Sequence, residues 1–162
     1  MEVAPKTGDI RSKELFGSFQ LHVEFWLPLM AEATGQGRAN SGVYLQGRYE
    51  VQVLDSYGLD SKDDDCGGLY KLKAPKVNAG RPPETWQTYD IFFRAPKYNE
   101  HDTKVKNAKL SVLFNGVWIH HDLELPQPTP GAMDQDCHLP GPVLLQDHSN
   151  LVRFRNIWVR PL

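Results

Sequence analysis

Several segments of the chain set acids, amides, imidazoles and indoles at every second position. Between residues 19 and 26, Gln20, His22, Glu24 and Trp26 alternate with Phe19, Leu21, Val23 and Phe25. In "YEVQVLDSYG", Glu50 and Gln52 alternate with Tyr49, Val51 and Val53, and Asp55 follows at the end of the run. Trp86, Thr88 and Asp90 oppose Tyr89, Ile91 and Phe93, and near the C-terminus Arg153 and Arg155 oppose Val152, Phe154 and Asn156. Side chains two apart in a strand share a face. The polar faces therefore carry carboxylates, amides and guanidinium groups that bind hydroxyls, with tryptophans that stack on the apolar face of a pyranose. The expectation is that these strands are neighbours in one curved sheet and that their polar faces floor a single saccharide cleft. Glu50 and Gln52 then look into that cleft and Asp55 sits at its rim.

The elements that must position these residues are strands almost throughout. Alternating runs fall at 19–27, 41–47, 49–55, 86–95, 108–115, 117–125, 142–148 and 151–159. Most of the 12 prolines and 13 glycines lie between them. No stretch holds a 3.6-residue period with caps at both ends, so the pattern predicts an all-β sandwich or barrel. Asn115-Gly116, between two alternating runs, is the strongest hairpin signal, because a type I′ turn needs positive φ at both central residues. A length of 162 residues fits one domain spanning 1–162 with a sizeable core. The net charge of −2 gives no electrostatic case for nucleic acid or an anionic membrane. No apolar run approaches the roughly 20 residues that span a bilayer, and "MEVAPKTGDI" shows no signal-peptide pattern.

Two further clusters attract scrutiny. His120 and Asp122 share a face of a regular strand, which is too little to hold a metal. Asp134, Asp136, Cys137 and His138 crowd one loop but match no standard calcium or zinc spacing. Cys66 and Cys137 lie in loop-like sequence, where they can form one disulfide or stay free.

"FGSFQLHVEFWLP", "NSGVYLQGRYEVQVLDSYG" and "LLQDHSNLVRFRNIWVRPL", in that order and spacing, resemble the 3-keto-disaccharide hydrolase domain family from about residue 8 onward. The resemblance implies a concanavalin A-like jelly-roll sandwich of two antiparallel sheets. It also implies cleavage of 3-keto-glycosides, and a periplasmic or secreted setting. The family's opening "LFNGKDLSGW"-like segment is not in this chain, and Ser149 stands where the family has Gly after Gln-Asp-His.

The chemistry implied by the resemblance begins with the acidity of C2–H beside a 3-keto group. A base removes that proton, the C1 aglycone leaves by β-elimination, and water adds back. Candidate catalytic groups are His148, Glu24 and Glu50 as bases and Arg155, or a divalent metal, as stabiliser of the enolate. His22, Trp26, Asn40, Gln52, Asp55, Trp86 and Gln146 are the candidate substrate contacts. A carbohydrate ligand bound without catalysis is the alternative use of the same surface. Each residue also has a structural use. Glu24 and Glu50 can pair across strands with Arg48 or Arg153, Asn40 can turn the chain in a left-handed conformation, and Asp55 can cap a loop.

Overall fold

The computed structural model describes all 162 residues. Eleven strands follow one another: β1 (Ile10–Arg11), β2 (Phe19–Trp26), β3 (Ser41–Leu45), β4 (Tyr49–Val53), β5 (Trp86–Arg94), β6 (Lys97–Tyr98), β7 (Lys104–Lys106), β8 (Ala108–Phe114), β9 (Val117–Leu125), β10 (Leu144–Leu145) and β11 (Arg153–Pro161). A single 3₁₀ turn, Gly35–Gly37, is the only helical element. Two antiparallel sheets make the sandwich. One has the order β11-β2-β5-β8-β9 and the other β1-β10-β3-β4, while β6 and β7 form a separate ribbon.

Alternation produces this arrangement directly. Phe19, Leu21, Val23 and Phe25 of β2, with Tyr89, Ile91 and Phe93 of β5, face Val43, Val51 and Val53 of the second sheet, all within one cluster of 28 buried apolar residues. The sheets are joined through Tyr49, whose ring lies 5.3 Å from Phe93. A second link is Tyr89, whose buried hydroxyl donates to the carbonyl of Gln52 at 2.7 Å. Asn115 and Gly116 have φ of 50° and 81°, as the hairpin between β8 and β9 requires.

The outer edge of β4 is closed by a loop. Gln52 N–H donates to Gly68 O, Gly67 N–H to Gln52 O, and Tyr70 N–H to Glu50 O. Every residue of β3 and β4 is buried, on both faces. The five-stranded sheet differs, since its outer positions stay partly exposed.

Several expectations fail at irregularities. A bulge between Arg155 and Trp158 lets Asn156, at φ 47°, join Arg155 on the outer face instead of opposing it. Register shifts in the β8–β9 pair, with Asp122 at φ 47°, separate His120, which is buried, from Asp122, which is exposed. Ala39, not Asn40, takes the left-handed conformation before β3. Cys66 and Cys137 are free thiols held by different tyrosines, Tyr89 and Tyr49, each at 3.2 Å.

Phe25 is fully buried against Tyr89 and Phe114, with ring centroids at 4.8 and 5.9 Å. Phe25→Ala should cost about 3–5 kcal/mol of unfolding free energy. Urea titration followed by intrinsic fluorescence measures that loss.

Candidate functional site

The short β3–β4 connection places Tyr44 directly opposite Glu50 and Gly42 directly opposite Gln52. Tyr44 Oη donates to Glu50 Oε2 at 2.8 Å, and Gln146 Nε2 donates to Tyr44 Oη at 3.2 Å. A Cβ on Gly42 would overlap Glu50 Oε1, so the carboxylate lies against bare backbone. Glu50 is only 2% exposed and pairs with no cation. Burial therefore pushes its carboxyl from 4.5 up to about 7, against the Tyr44 hydrogen bond that lowers it, with the charge of Asp9 raising it further. Tyr44 is raised above the ordinary phenol range by burial and by Glu50, and its hydroxyl stays protonated.

Amides frame this acid. Asn40 Nδ2 donates to Gln36 O at 2.8 Å and to Gln36 Oε1 at 3.1 Å, and Gln52 Nε2 reaches the same Oε1 at 3.2 Å. Gln52 Oε1 accepts from Val53 N–H. Buried Asn40 Oδ1 and Gln146 Oε1 have no hydrogen-bond partner. A buried orphan acceptor costs on the order of 1–3 kcal/mol, so these two, Gln146 joined to Glu50 through Tyr44 and Asn40 farther along the same face beside Gln36, are what a hydroxyl-bearing ligand would satisfy. Gln146 also walls a cavity of about 160 Å³ with Thr7, Gly8, Leu145 and Asp147. Asp55 is held by Arg38 Nη2 at 2.6 Å and accepts from Tyr57 N–H, so it has the loop-capping role as well as its place beside Gln52. Asp147 accepts from Thr7, Gly8 and Ser149 N–H, which fixes the loop and leaves His148 exposed. These backbone donors hold the Asp147 carboxyl below its usual range.

The remaining predicted residues lie elsewhere. His22, Glu24, Trp26, Trp86 and Arg155 occupy the outer face of the five-stranded sheet, on the opposite side of the core from Glu50 and Gln52. There His22 Nδ1 meets Asp90 at 2.7 Å, Arg155 Nε donates to Glu24 at 2.6 Å, and Asn156 Nδ2 donates to Glu24 at 2.9 Å. These donors hold the Glu24 carboxyl below its usual value, Asn156 contributing most. Arg153 and Arg155 stack on Trp26 and Trp86. The single hollow expected from alternation therefore does not form. Glu24 pairs with Arg155, not with Arg48 or Arg153, and Glu50 pairs with neither. All four tryptophans face outward, as alternation predicts for Trp26 and Trp86, and pack on sheet neighbours: Trp158 stacks on His22 and Trp118 lies against Phe92.

No three His, Cys, Asp or Glu side chains are placed to share a metal ion. The donors of the 134–138 loop turn to separate partners: Asp134 to Arg48, Asp136 to the His138 N–H, Cys137 to Tyr49 and His138 to Asp102. Asp55, just past the end of β4, is engaged by Arg38, and Glu50 on β4 is met only by Tyr44. The residues present do not fit a divalent cation.

Comparison with known proteins bears on what such a site serves. The profile of the 3-keto-alpha-glucoside-1,2-lyase-like domain matches residues 1–160. The chain belongs to that family. A protein from Parabacteroides distasonis, provisionally named a glycosyl hydrolase, shares 37% identity with a TM-score of 0.89, covering 99% of this chain and 71% of its own. Two others from the same organism, named in the same provisional way, share 20% and 18% identity. Their TM-scores are 0.64 and 0.67, each match covers 95% of this chain and 83% and 74% of theirs, and they support the fold alone. No curated protein matches the chain. Membership supports a carbohydrate-active role.

Sequence reasoning named Glu50, Gln52, Asn40, Asp55 and Gln146 but missed Tyr44, Gln36 and Arg38. Tyr44 was within reach, since a tight turn at Gln46–Arg48 sets it opposite Glu50. Gln36 and Arg38 arrive from a loop, and no periodicity marks them.

The raised Glu50 carboxyl has a thermodynamic consequence. Below about 4.5 both folded and unfolded chains hold the proton. Between there and about 7 only the folded chain does, so folding loses the advantage of the neutral acid as pH rises through that window. Relative to Glu50→Gln, the native protein should lose about 3 kcal/mol across it, read as the difference between two denaturation series over pH.

Proposed function

We propose that this chain is a carbohydrate-active enzyme that cleaves 3-keto-glycosides, with Glu50 as the base. The observation that carries the reading is a carboxyl nearly sealed from water and poised near neutrality, joined through Tyr44 to Gln146, whose amide oxygen is unsatisfied. A base titrating close to the working pH combines a populated basic form with useful proton affinity. Asn40 Oδ1 and Gln146 Oε1 take hydroxyl protons of the sugar and set C2–H toward Glu50. Gly42 keeps the approach free of side-chain bulk.

The steps then balance. Glu50 takes the C2 proton, and the electron pair passes into the C2–C3 enolate. Arg38, anchored on Asp55 at 2.6 Å, is assigned to the enolate oxygen. Re-formation of the ketone expels the C1 oxygen, which collects a proton from His148 at the exposed rim. His148, now the base, takes a proton from the water that adds to C1 of the resulting enone, and Glu50 returns its proton to C2, so both groups end as they began. His22, Glu24 and Arg155 have no part in these steps, because the core separates them from Glu50.

A second reading, a carbohydrate-binding module without turnover, draws on the 2% exposure of Glu50, which demands that the mouth of the site open before a substrate reaches it. Turnover of a 3-keto-glucoside decides between them. Glu50→Gln should lower kcat by about 10²–10⁴-fold, while Glu24→Gln should leave it within about twofold. A Glu24→Gln loss equal to that of Glu50→Gln would falsify the placement of the site. Glycan binding with no turnover at any pH would establish the module instead. The pH profile of kcat/KM should rise with an apparent pKa near 7, from ionisation of Glu50.

A further inference from the structure

A wide cleft lies far from Glu50, at the end of the five-stranded sheet. It measures about 840 Å³ and is bounded by Arg94, Lys97, Lys106 and Lys109, with Glu124 as its one acidic side chain and Leu162, the last residue, also on its wall. The cations are arranged in a costly way. Arg94 stands directly opposite Lys109 in the β5–β8 ladder, and Lys97 directly opposite Lys106 in the β6–β7 ribbon. Like charges opposed across strands destabilise a sheet. Lys109 reaches Glu124 at 3.7 Å, but Arg94, Lys97 and Lys106 enter no ion pair. On a chain of net charge −2, two such pairs in one cleft form a local positive field.

The cleft continues into a second hollow. A cavity of about 160 Å³ shares Arg94 and Lys109 with it and adds Phe92, Ser111, Trp118 and Asp122. Trp118 is 44% exposed and packed between two rings, with centroids 6.1 Å from the tilted Phe92 and 5.4 Å from His121, which meets it edge to face. Asp122 sits at φ 47° at a break in the β8–β9 register, and its N–H is tied to Ser111 Oγ at 2.8 Å. Glu124 holds Lys109 across the β8–β9 ladder, which leaves the unpaired Arg94, Lys97 and Lys106 as the seat for an anion. The groove thus joins a fixed indole, on which a pyranose ring stacks, to unneutralised cations that accept acid groups.

We propose that this groove, running from Trp118 past Arg94 and Lys109 to Lys97 and Lys106, binds an acidic oligosaccharide through its carboxylate or sulfate groups. It would hold a glycan chain on the side of the sandwich opposite Glu50. The saccharide class follows from family membership, and the assignment takes nothing from the role given to Glu50. A failure here leaves the turnover experiment untouched, and the converse holds as well.

The test is direct binding by calorimetry with four probes: a tetragalacturonate, a sulfated tetrasaccharide, a neutral cello-tetraose and a single-stranded oligonucleotide of matched charge. At least one acidic saccharide should bind about tenfold more tightly than cello-tetraose, with affinity falling as salt is raised. Whether the carboxylate or the sulfate probe binds names the acid group. Lys97→Gln with Lys106→Gln should weaken that binding about tenfold, with an unchanged circular dichroism spectrum. Trp118→Ala should weaken the acidic saccharide but leave the salt dependence in place. The proposal is overturned by equal affinity for the neutral probe, by oligonucleotide binding as tight as the acidic saccharides, by indifference to the lysine substitutions, or by no binding at about 1 mM.

Discussion

One apolar layer governs what this chain can do. Twenty-eight buried side chains fill the space between the sheets, and every strand that contributes to it has only its outer face left for chemistry. Polar groups on different sheets are then held a full core apart. His22 and Glu24 cannot meet Gln52 without dismantling Phe25, Tyr89 and Val51. The two outer faces consequently develop separate characters. One is open, and its ions pair with one another across β2, β5 and β11. The other is covered by loops, and its acid is left without a cation.

The covered face depends on what β3 does not carry. Gly42 offers no Cβ, so the Glu50 carboxylate can rest on the β3 backbone, and Tyr44 one pair along supplies its single side-chain hydrogen bond. A cation in that position would have made Glu50 an ordinary ion pair with a low pKa. The cost of a desolvated acid is tolerable because neutralisation near pH 7 caps it. The same poise makes the group useful as a base. Glu24 shows the contrast, with its two donors on the open face holding it ionised.

Much of the architecture was legible in the residues. Period-two alternation located β2, β5, β8 and β9 to within a residue or so and sorted the inner and outer sides of β2 and β5, and Asn115-Gly116 marked its turn. The polar members of "YEVQVLD" and "NSG" were likewise identifiable as one neighbourhood. Bulges were not legible. The irregularity that carries Asn156 to the face of Arg155, and the one that parts His120 from Asp122, each insert a residue where the sequence still reads as regular alternation. Alternation did place Trp26 and Trp86 outward, but the outward posture of Trp118 and Trp158 was not legible, since an indole suits a core and an exposed sheet equally well by composition.

The sequence alone determined the strand pattern, the apolar inner faces and the kinds of groups available for chemistry, because these depend on side-chain type and on a backbone period of two. Only the tertiary structure decided which of those groups share a surface. Strand order is set by pairing between segments distant along the chain, and β10 inserting between β1 and β3 brings Gln146 to Tyr44 while β11 beside β2 takes Arg155 to Glu24. Local periodicity carries no information about that choice, since a strand presents the same two faces whichever sheet it joins.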